Sequence, residues 1–244
     1  MRRRFFVDEV RNGKAQIEGD EARHLTRVLR VEAGQRYEIS DNRNVYLAEI
    51  ETARKESVLF RTLEKLPSAP PSARFDLYVA LIKFDRFEWI VEKATELGVT
   101  EIVPIEATRS ERGLEKAAGK RVERWRRIAL EASQQSRRAH LPEIAEPVPL
   151  AQALARPATH RYVLDENPGA QPLFEALPAA RTVQDTVAIL TGPEGGWTEE
   201  EHALFTSDGA AAGWIPVSMG PLILRAETAV IAALAVISQA WLLR

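Results

Sequence analysis

A glycine-rich loop in the last quarter of the sequence is the segment best suited to bind a small molecule. Residues 186–190 predict a buried strand, and residues 191–196, which read TGPEGG, follow it. Glycines let a ligand approach backbone amides and carbonyls, which can bind a nucleoside by hydrogen bonds. No Lys-Ser/Thr pair follows and Glu194 would repel a phosphate, so a nucleotide hydrolase loop is disfavoured. The alternative interpretation is a tight turn whose backbone conformation requires glycines and that binds nothing.

A second loop also runs from a predicted strand through Gly-Pro into a helix. Residues 217–229 read VSMGPLILRAETA, and two such loops can flank one pocket. Arg225 and Glu227 lie in a strongly apolar stretch, where an ionic group is costly unless it is paired or functional. A structural salt bridge and a functional role both explain these two residues.

Metal and thiol chemistry are not indicated. The sequence has no cysteine, and its four histidines are scattered. Disulfides, thiolate zinc sites and a cysteine nucleophile are therefore excluded, and we expect no metal.

The net charge of −2 hides an uneven distribution. Residues 109–138 contain 10 Lys/Arg and 4 Asp/Glu, whereas residues 139–244 contain 5 and 12. A local basic stripe can neutralise phosphates while the rest of the surface repels them. A solvated helix face explains the same charges.

The first third of the chain predicts a small β-rich unit. Period-two apolar runs at 37–40, 45–50 and 57–60 predict strands of a barrel, and residues 20–29 predict one helix. The Pro/Ser segment at 66–73 marks a domain boundary, which gives domains 1–70 and 73–244.

The rest of the chain alternates strands with long helices, which is typical of a parallel α/β sheet. Capping boxes at Asp85/Glu88 and Thr198/Glu201 predict two helix starts. Further strands are predicted at 77–82, 101–105, 161–164, 186–190 and about 212–217, and helices at about 120–136 and at the C-terminal end.

The sequence predicts neither secretion nor a membrane span. The basic start, MRRR, lacks a following apolar stretch, and residues 229–243 are shorter than the ~20 residues a span requires. We therefore expect a cytoplasmic protein that is not in a membrane.

The two loops together resemble the two signatures of the RsmE-type ribosomal RNA uracil-N3 methyltransferases, in the SPOUT (α/β-knot) superfamily. Further matches to the family lie at Arg3–Phe6, His24–Arg30, Glu88–Val99 and Trp125–Ile144. The resemblance implies a PUA-like β-barrel followed by a deep-trefoil-knot domain with a parallel sheet. It also implies S-adenosylmethionine as cofactor, 16S ribosomal RNA of the small subunit as partner, and a homodimer.

The resemblance carries specific roles onto residues of this chain. The cofactor contacts it implies are Thr191, Gly192, Gly196, Met219, Gly220, Leu224, Arg225 and Thr228. Uridine N3 must lose a proton, so Glu227 is the candidate for proton handling and Arg225 for charge stabilisation, with Lys83 as an alternative cation. Phosphate contacts are expected from Arg2, Arg3, Arg4, Arg27, Arg30, Arg137 and Arg138.

Three positions depart from the family pattern. Leu222 stands where an Arg is usual, Ala226 where a Thr is usual, and Arg23 where a second His is usual. Two other functions remain open: a knotted methyltransferase with another RNA target or ribose 2′-O specificity, and a non-catalytic RNA-binding module for ribosome assembly.

Overall fold

A computed structural model describes residues 3–67, 72–167, 169–206 and 213–242 of the chain. The chain divides into two compact units. Unit 1 comprises Met1–Pro70 together with Leu130–Leu141, and unit 2 comprises Pro71–Ala129 and Pro142–Arg244.

Unit 1 is a half-barrel built on a five-stranded sheet. Its strands are β1 (Arg4–Phe6), β2 (Lys14–Glu18), β3 (Arg36–Ser40), β4 (Val45–Arg54) and β5 (Ser57–Lys65), and its helix is α1 (Gly19–Arg27). The order is β1-β3-β4-β5-β2, with β1 parallel to β3 and the other neighbours antiparallel. Phe5, Leu25, Ile39 and Phe60 fill its core. The predicted strands and helix of this region are confirmed.

Residues 130–141 pack as part of unit 1 although they are distant in sequence. Gln134 donates to Glu21 at 2.8 Å, and the Ser40 hydroxyl donates to the carbonyl of Ala139 at 2.7 Å. The backbone N–H of Leu141 donates to the Asn42 side chain at 2.7 Å. The predicted division at residues 70–73 assigns this segment to the second domain, and no local pattern indicates these contacts.

Unit 2 alternates strands and helices, as predicted. Its strands are β6 (Arg74–Ala80), β7 (Glu101–Glu106), β8 (Glu143–Ile144), β9 (Val148–Pro149), β10 (His160–Leu164), β11 (Gln171–Pro172), β12 (Thr186–Thr191) and β13 (Trp214–Ser218). Its helices are α2 (Phe84–Glu96), α3 (Leu114–Ala118), α4 (Val122–Ser136), α5 (Leu150–Leu154), α6 (Leu173–Ala176), α7 (Glu199–Thr206) and α8 (Ala226–Leu242), and the last residues of α4 belong to unit 1.

The strands of unit 2 form one parallel sheet in the order β11-β13-β10-β12-β6-β7-β8, and β9 pairs with β7. Apolar side chains on both faces of the sheet are buried in hydrophobic cores. Leu77 and Val79 of β6 join the core that contains Trp125 of α4, whereas Tyr78 joins the core that contains Phe205 of α7. Burial on both faces explains why these strands read as continuous apolar runs.

One predicted helix start is correct and the other is wrong. Thr198 and Glu201 form the expected reciprocal bonds at the start of α7, at 3.0 and 3.1 Å. Helix α2 instead begins at Phe84, and no side chain caps it. Glu88 accepts two hydrogen bonds from Arg124 of α4, at 2.6 and 2.7 Å, because that cation satisfies both carboxylate oxygens at once.

In the part of the chain that the structure describes, no helix has the length and apolar character needed to cross a membrane.

Candidate cofactor and active site

The two predicted loops leave the same edge of the parallel sheet. Thr191, the last residue of β12, and Val217 of β13 are both in register with Leu164 of β10. Two strand spacings separate them, so their Cα atoms are about 10 Å apart. The loops therefore flank the carboxyl end of β10, which is where ligands bind in open α/β sheets.

The glycine-rich loop has little room for side chains but leaves polar groups unpaired. A Cβ at Gly192 would lie 2.9 Å from the indole of Trp197, and Gly196 adopts a positive φ of 70°. The Thr191 hydroxyl and the Trp197 indole N–H are both buried, and neither has a hydrogen-bond partner among the residues that the structure describes. Buried polar atoms are normally paired. A nucleoside, with its many polar atoms, fits this combination of close backbone and free donors.

The second loop is a tight turn followed by exposed apolar residues. The Ser218 hydroxyl accepts from the Gly220 N–H and donates to the Gly220 carbonyl, both at 3.1 Å. Met219 packs partly buried against the core of unit 2. Leu222 and Ile223 are 76% and 82% exposed. Beyond them Leu224 is half-buried and Thr228 is exposed.

Arg225 and Glu227 do not form the salt bridge that was one explanation of their presence. Among the described residues neither is in an ion pair with the other, and the Arg225 side chain is exposed. Glu227 lies in the first turn of α8, half-buried, and its Oε2 atom is buried with no hydrogen-bond partner in the described part of the chain. An unpaired carboxylate oxygen beside the two loops can accept a proton.

Three side chains hold the glycine-rich loop and the loop beside it, in roles that the sequence hardly indicated. Arg86 of α2 forms an ion pair with Glu194. Arg109 donates to the carbonyls of Gly195 and Trp197, at 3.3 and 3.1 Å. Glu201 accepts from the backbone N–H of Thr108 at 2.7 Å, so the helix-capping carboxylate also holds the loop after β7. Only the Thr198/Glu201 capping pattern gave any sign of these roles.

The remaining positions singled out in the sequence have ordinary surroundings. Lys83, the alternative cation, is exposed immediately before α2. Arg23 forms ion pairs with Asp20 and Glu56. Leu222 is exposed enough for a charged residue to be tolerated there, and Ala226 is the first residue of α8. The described residues contain no group of His, Cys, Asp or Glu that could hold a metal ion.

The predicted RNA-binding arginines fall into two groups. Arg2 lies outside the described residues, whereas Arg3, Arg27 and Arg30 are exposed on unit 1. The other three are engaged inside unit 1.

Two of the engaged arginines share one carboxylate. Arg4, whose side chain is 13% exposed, donates to Glu38 at 2.7 and 3.1 Å and to the carbonyl of Arg137 at 2.6 Å. Arg137 forms an ion pair with the same Glu38. Burial lowers the pKa of Arg138 to about 10, and its guanidinium donates to the carbonyl of His140 at 3.0 Å.

Comparisons with known proteins agree with this geometry. Residues 69–238 match the RNA methyltransferase domain family, and residues 17–63 match the RNA methyltransferase PUA domain family. Ribosomal RNA small subunit methyltransferase E of Bacillus subtilis is 34% identical over 96% of this chain and 95% of its own length. The protein of the same name from Synechocystis is also 34% identical, over 88% of this chain and 69% of its own length.

Solved structures extend the similarity to the whole fold. Ribosomal RNA small subunit methyltransferase E from Neisseria gonorrhoeae, bound to S-adenosyl methionine, superposes with a TM-score of 0.85 at 27% identity. That match covers 99% of this chain and 98% of the other. A Legionella pneumophila structure, also in complex with the bound cofactor, gives a TM-score of 0.86 at 28% identity over 98% of both chains. The predicted succession of a PUA-like unit and a parallel-sheet methyltransferase domain is confirmed. The threading that a trefoil knot requires stays a prediction.

Proposed function

This chain belongs to the ribosomal RNA small subunit methyltransferase E family, and on that premise we propose that it transfers a methyl group from S-adenosylmethionine to N3 of a uridine in 16S ribosomal RNA. The observation that carries the proposal is the pair of loops at the end of β10, where the Thr191 hydroxyl and the Trp197 indole N–H lack partners. The relatives solved with the cofactor have the same fold.

The two loops would hold the cofactor mainly through their backbone. Missing side chains at Gly192, Gly196 and Gly220 would leave the backbone amides and carbonyls accessible, and Met219 and Leu224 would contribute backbone groups beside them. The Thr191 hydroxyl adds a hydrogen bond, and Arg225 and Thr228 close the site at the start of α8. When bound, the cofactor supplies an activated methyl group on a sulfonium. The contribution of these residues is positioning, since in-line transfer depends on orientation.

Glu227 and Arg225 are the proposed catalytic pair. The uridine N3 proton must leave, and the free Oε2 of Glu227 is an acceptor that no other described side chain occupies. The exposed guanidinium of Arg225 would stabilise negative charge that develops on the uracil carbonyls.

Unit 1 would hold the RNA through its exposed cations. Arg3, Arg27 and Arg30 have side chains available for phosphates, and Arg2, which lies outside the described residues, stays a predicted phosphate contact. Arg4, Arg137 and Arg138, which the resemblance also assigns to RNA, have protein partners and would mainly fix the shape of this surface. Because its proposed substrate is ribosomal RNA, the protein would act in the cytoplasm.

Replacement of Thr191 by Val tests the cofactor site. The change removes the unpaired hydroxyl at nearly constant volume, so we expect S-adenosylmethionine affinity to fall about tenfold, the value of one hydrogen bond, with little loss of stability. Isothermal titration calorimetry measures the affinity. Thr186→Val, at the opposite end of the same strand, is the matched control and should bind normally. Equal affinity of both variants would remove Thr191 from the site.

The modified base identifies the reaction. Mass spectrometry of 16S ribosomal RNA from a strain that lacks this protein should reveal one missing N3-methyluridine, and complementation should restore it. A missing ribose methyl group would instead assign 2′-O specificity. Intact methylation together with no cofactor binding would favour the non-catalytic assembly module.

A further inference from the structure

A cavity in unit 2 lies beside the glycine-rich loop but outside the proposed cofactor contacts. It has a volume of about 340 Å³ and lies beyond the carboxyl ends of β6 and β7. Its lining is formed by Leu81, Glu106, Ala107, Thr108, Ser110, Arg112 and Glu115. The volume is at the small end of the range for ligand sites, about 300–1,000 Å³, which suits a single base or nucleoside.

The strand order puts the cavity and the second cofactor loop on opposite sides of the glycine-rich loop. In the sheet, β10 and β13 lie on one side of β12, and β6 and β7 lie on the other. Thr191 is in register with Val79 of β6, which is in register with Pro104 of β7. The glycine-rich loop that follows β12 therefore lies between the second cofactor loop and the cavity. Helix α8, which carries Glu227, packs against α2, the helix that follows β6, so Glu227 belongs to an element on the cavity side of β12.

The loop that lines the cavity is tied directly to the glycine-rich loop. The hydrogen bonds from Arg109 to Gly195 and Trp197, and from Thr108 to Glu201, join the two segments. A Cβ at Gly195 would lie only 3.1 Å from that of Arg109, so the two backbones are in contact. A methyl donor and its acceptor must bind in adjacent sites. The cavity meets this requirement because it adjoins the glycine-rich loop, which forms one side of the proposed cofactor site.

The chemistry of the lining favours a neutral polar ring. The Ser110 hydroxyl is buried, has no hydrogen-bond partner within the described ranges, and can donate to a carbonyl oxygen. Two carboxylates, Glu106 and Glu115, outnumber the single guanidinium of Arg112, so a phosphate group would be repelled. Leu81 and Ala107 supply apolar surface for the faces of a ring. Uracil has two ring carbonyls and no charge.

We propose that this cavity receives the target uracil, turned out of the RNA stack, with the Ser110 hydroxyl donating to a ring carbonyl. The inference rests on the proposed function and names where its substrate base binds. Turning a base out of a helix costs stacking and pairing free energy, which contacts in the cavity would offset. Ser110 is then a substrate-binding residue that contacts the base and leaves cofactor binding unaffected.

Ser110→Ala and Ser110→Phe test the assignment in the full-length protein. Methyl transfer to 16S ribosomal RNA is followed with radiolabelled S-adenosylmethionine, and cofactor affinity is measured by calorimetry. We expect Ser110→Ala to lower kcat/KM for RNA about five- to tenfold, since one hydrogen bond to the base is lost. Ser110→Phe fills the cavity and should lower kcat/KM more than a hundredfold. The cofactor Kd should stay within twofold of the wild type in both variants.

Ser133→Ala is the matched control. Its hydroxyl is also buried without a partner, but it lies in α4 and lines neither cavity nor loop. Its kcat/KM should equal that of the wild type. Normal methylation by both Ser110 variants would overturn the proposal, as would a parallel loss of cofactor affinity, which would assign the cavity to the cofactor. A wild-type protein that leaves uridine N3 unmethylated would overturn the proposed function as well, so the two failures are distinguishable.

Discussion

At the scale of single residues, an arginine is available for RNA phosphates only where no carboxylate of the protein already binds it. Arg4 and Arg137 belong to basic runs that predict phosphate binding, yet both donate to Glu38 inside unit 1. Sequence shows that a cation is present but not whether a carboxylate distant in the chain already binds it. Arg27 and Arg30, by contrast, are exposed.

Replacement of Arg4 by Ala should destabilise unit 1. The variant loses two hydrogen bonds to a largely buried carboxylate, which corresponds to about 1.5–3 kcal/mol in the free energy of unfolding. Urea denaturation measures the difference. Arg36→Ala, which removes a 54% exposed partner of Glu49, should cost less than ~1 kcal/mol. Equal losses in the two variants would show that the burial of Glu38 has no effect.

RNA affinity should depend on the exposed arginines. The double variant Arg27→Ala/Arg30→Ala should weaken RNA binding and reduce the slope of log K against log salt by about 1.4, which is about 0.7 for each phosphate contact. Binding titrations at several salt concentrations measure this slope. Arg36→Ala/Arg61→Ala removes two arginines of the same unit that are already paired with Glu49, and its slope should hardly change. An unchanged slope for the first variant would argue against these contacts.

At the scale of elements, local patterns predicted most of the framework. Strands and helices with one or two buried faces carry period-two or continuous apolar patterns, so β6, β10, β12 and α4 were predictable. The start of α2 was not, because the carboxylate of Glu88 binds a cation on another helix. The site was only partly predictable: the glycines are local signals, whereas the contacts of Arg86 and Arg109 exist only in the folded sheet.

Glu201 links two elements, and its removal should loosen both. Glu201→Ala deletes acceptors for the backbone N–H groups of Thr108 and Thr198, so we expect their amide hydrogen exchange to accelerate about tenfold or more. Thr198→Ala removes the bond that its hydroxyl accepts from the Glu201 N–H, at a cost of about 1 kcal/mol, but keeps the Glu201 carboxylate, and should leave Thr108 protected. NMR exchange measurements distinguish the two variants. Unchanged protection of Thr108 in Glu201→Ala would contradict the link.

At the scale of the whole molecule, the chain combines two domains, because its first part matches a PUA domain family and its second part an RNA methyltransferase domain family. The exposed side chains of Leu222 and Ile223 adjoin α8 in unit 2, and α8 is apolar around most of its surface. Such an apolar surface is expected to be covered by another protein surface, and a second copy of the chain is the proposed partner.

The proposed homodimer predicts a particle mass. Light scattering should give twice the mass of one chain, which is 27.3 kDa. The double variant Leu222→Ser/Ile223→Ser should weaken self-association a hundredfold or more, since each side chain would be buried twice in a symmetric interface. Val28→Ser, which alters a 64% exposed apolar residue of unit 1, should leave the mass unchanged. A monomeric wild type at micromolar concentration would rule out the proposed dimer.

Unit 1 is formed by two segments that are distant in sequence, and this limits when it can finish folding during synthesis. Ribosomes release the chain from its N-terminus, so residues 3–67 emerge long before residues 130–141. Until then Glu38 has one arginine instead of two, and Glu21 lacks the amide of Gln134. Unit 1 is therefore completed only after the segment Pro71–Ala129 of unit 2 has been translated, and a fragment that stops at residue 70 would be permanently incomplete.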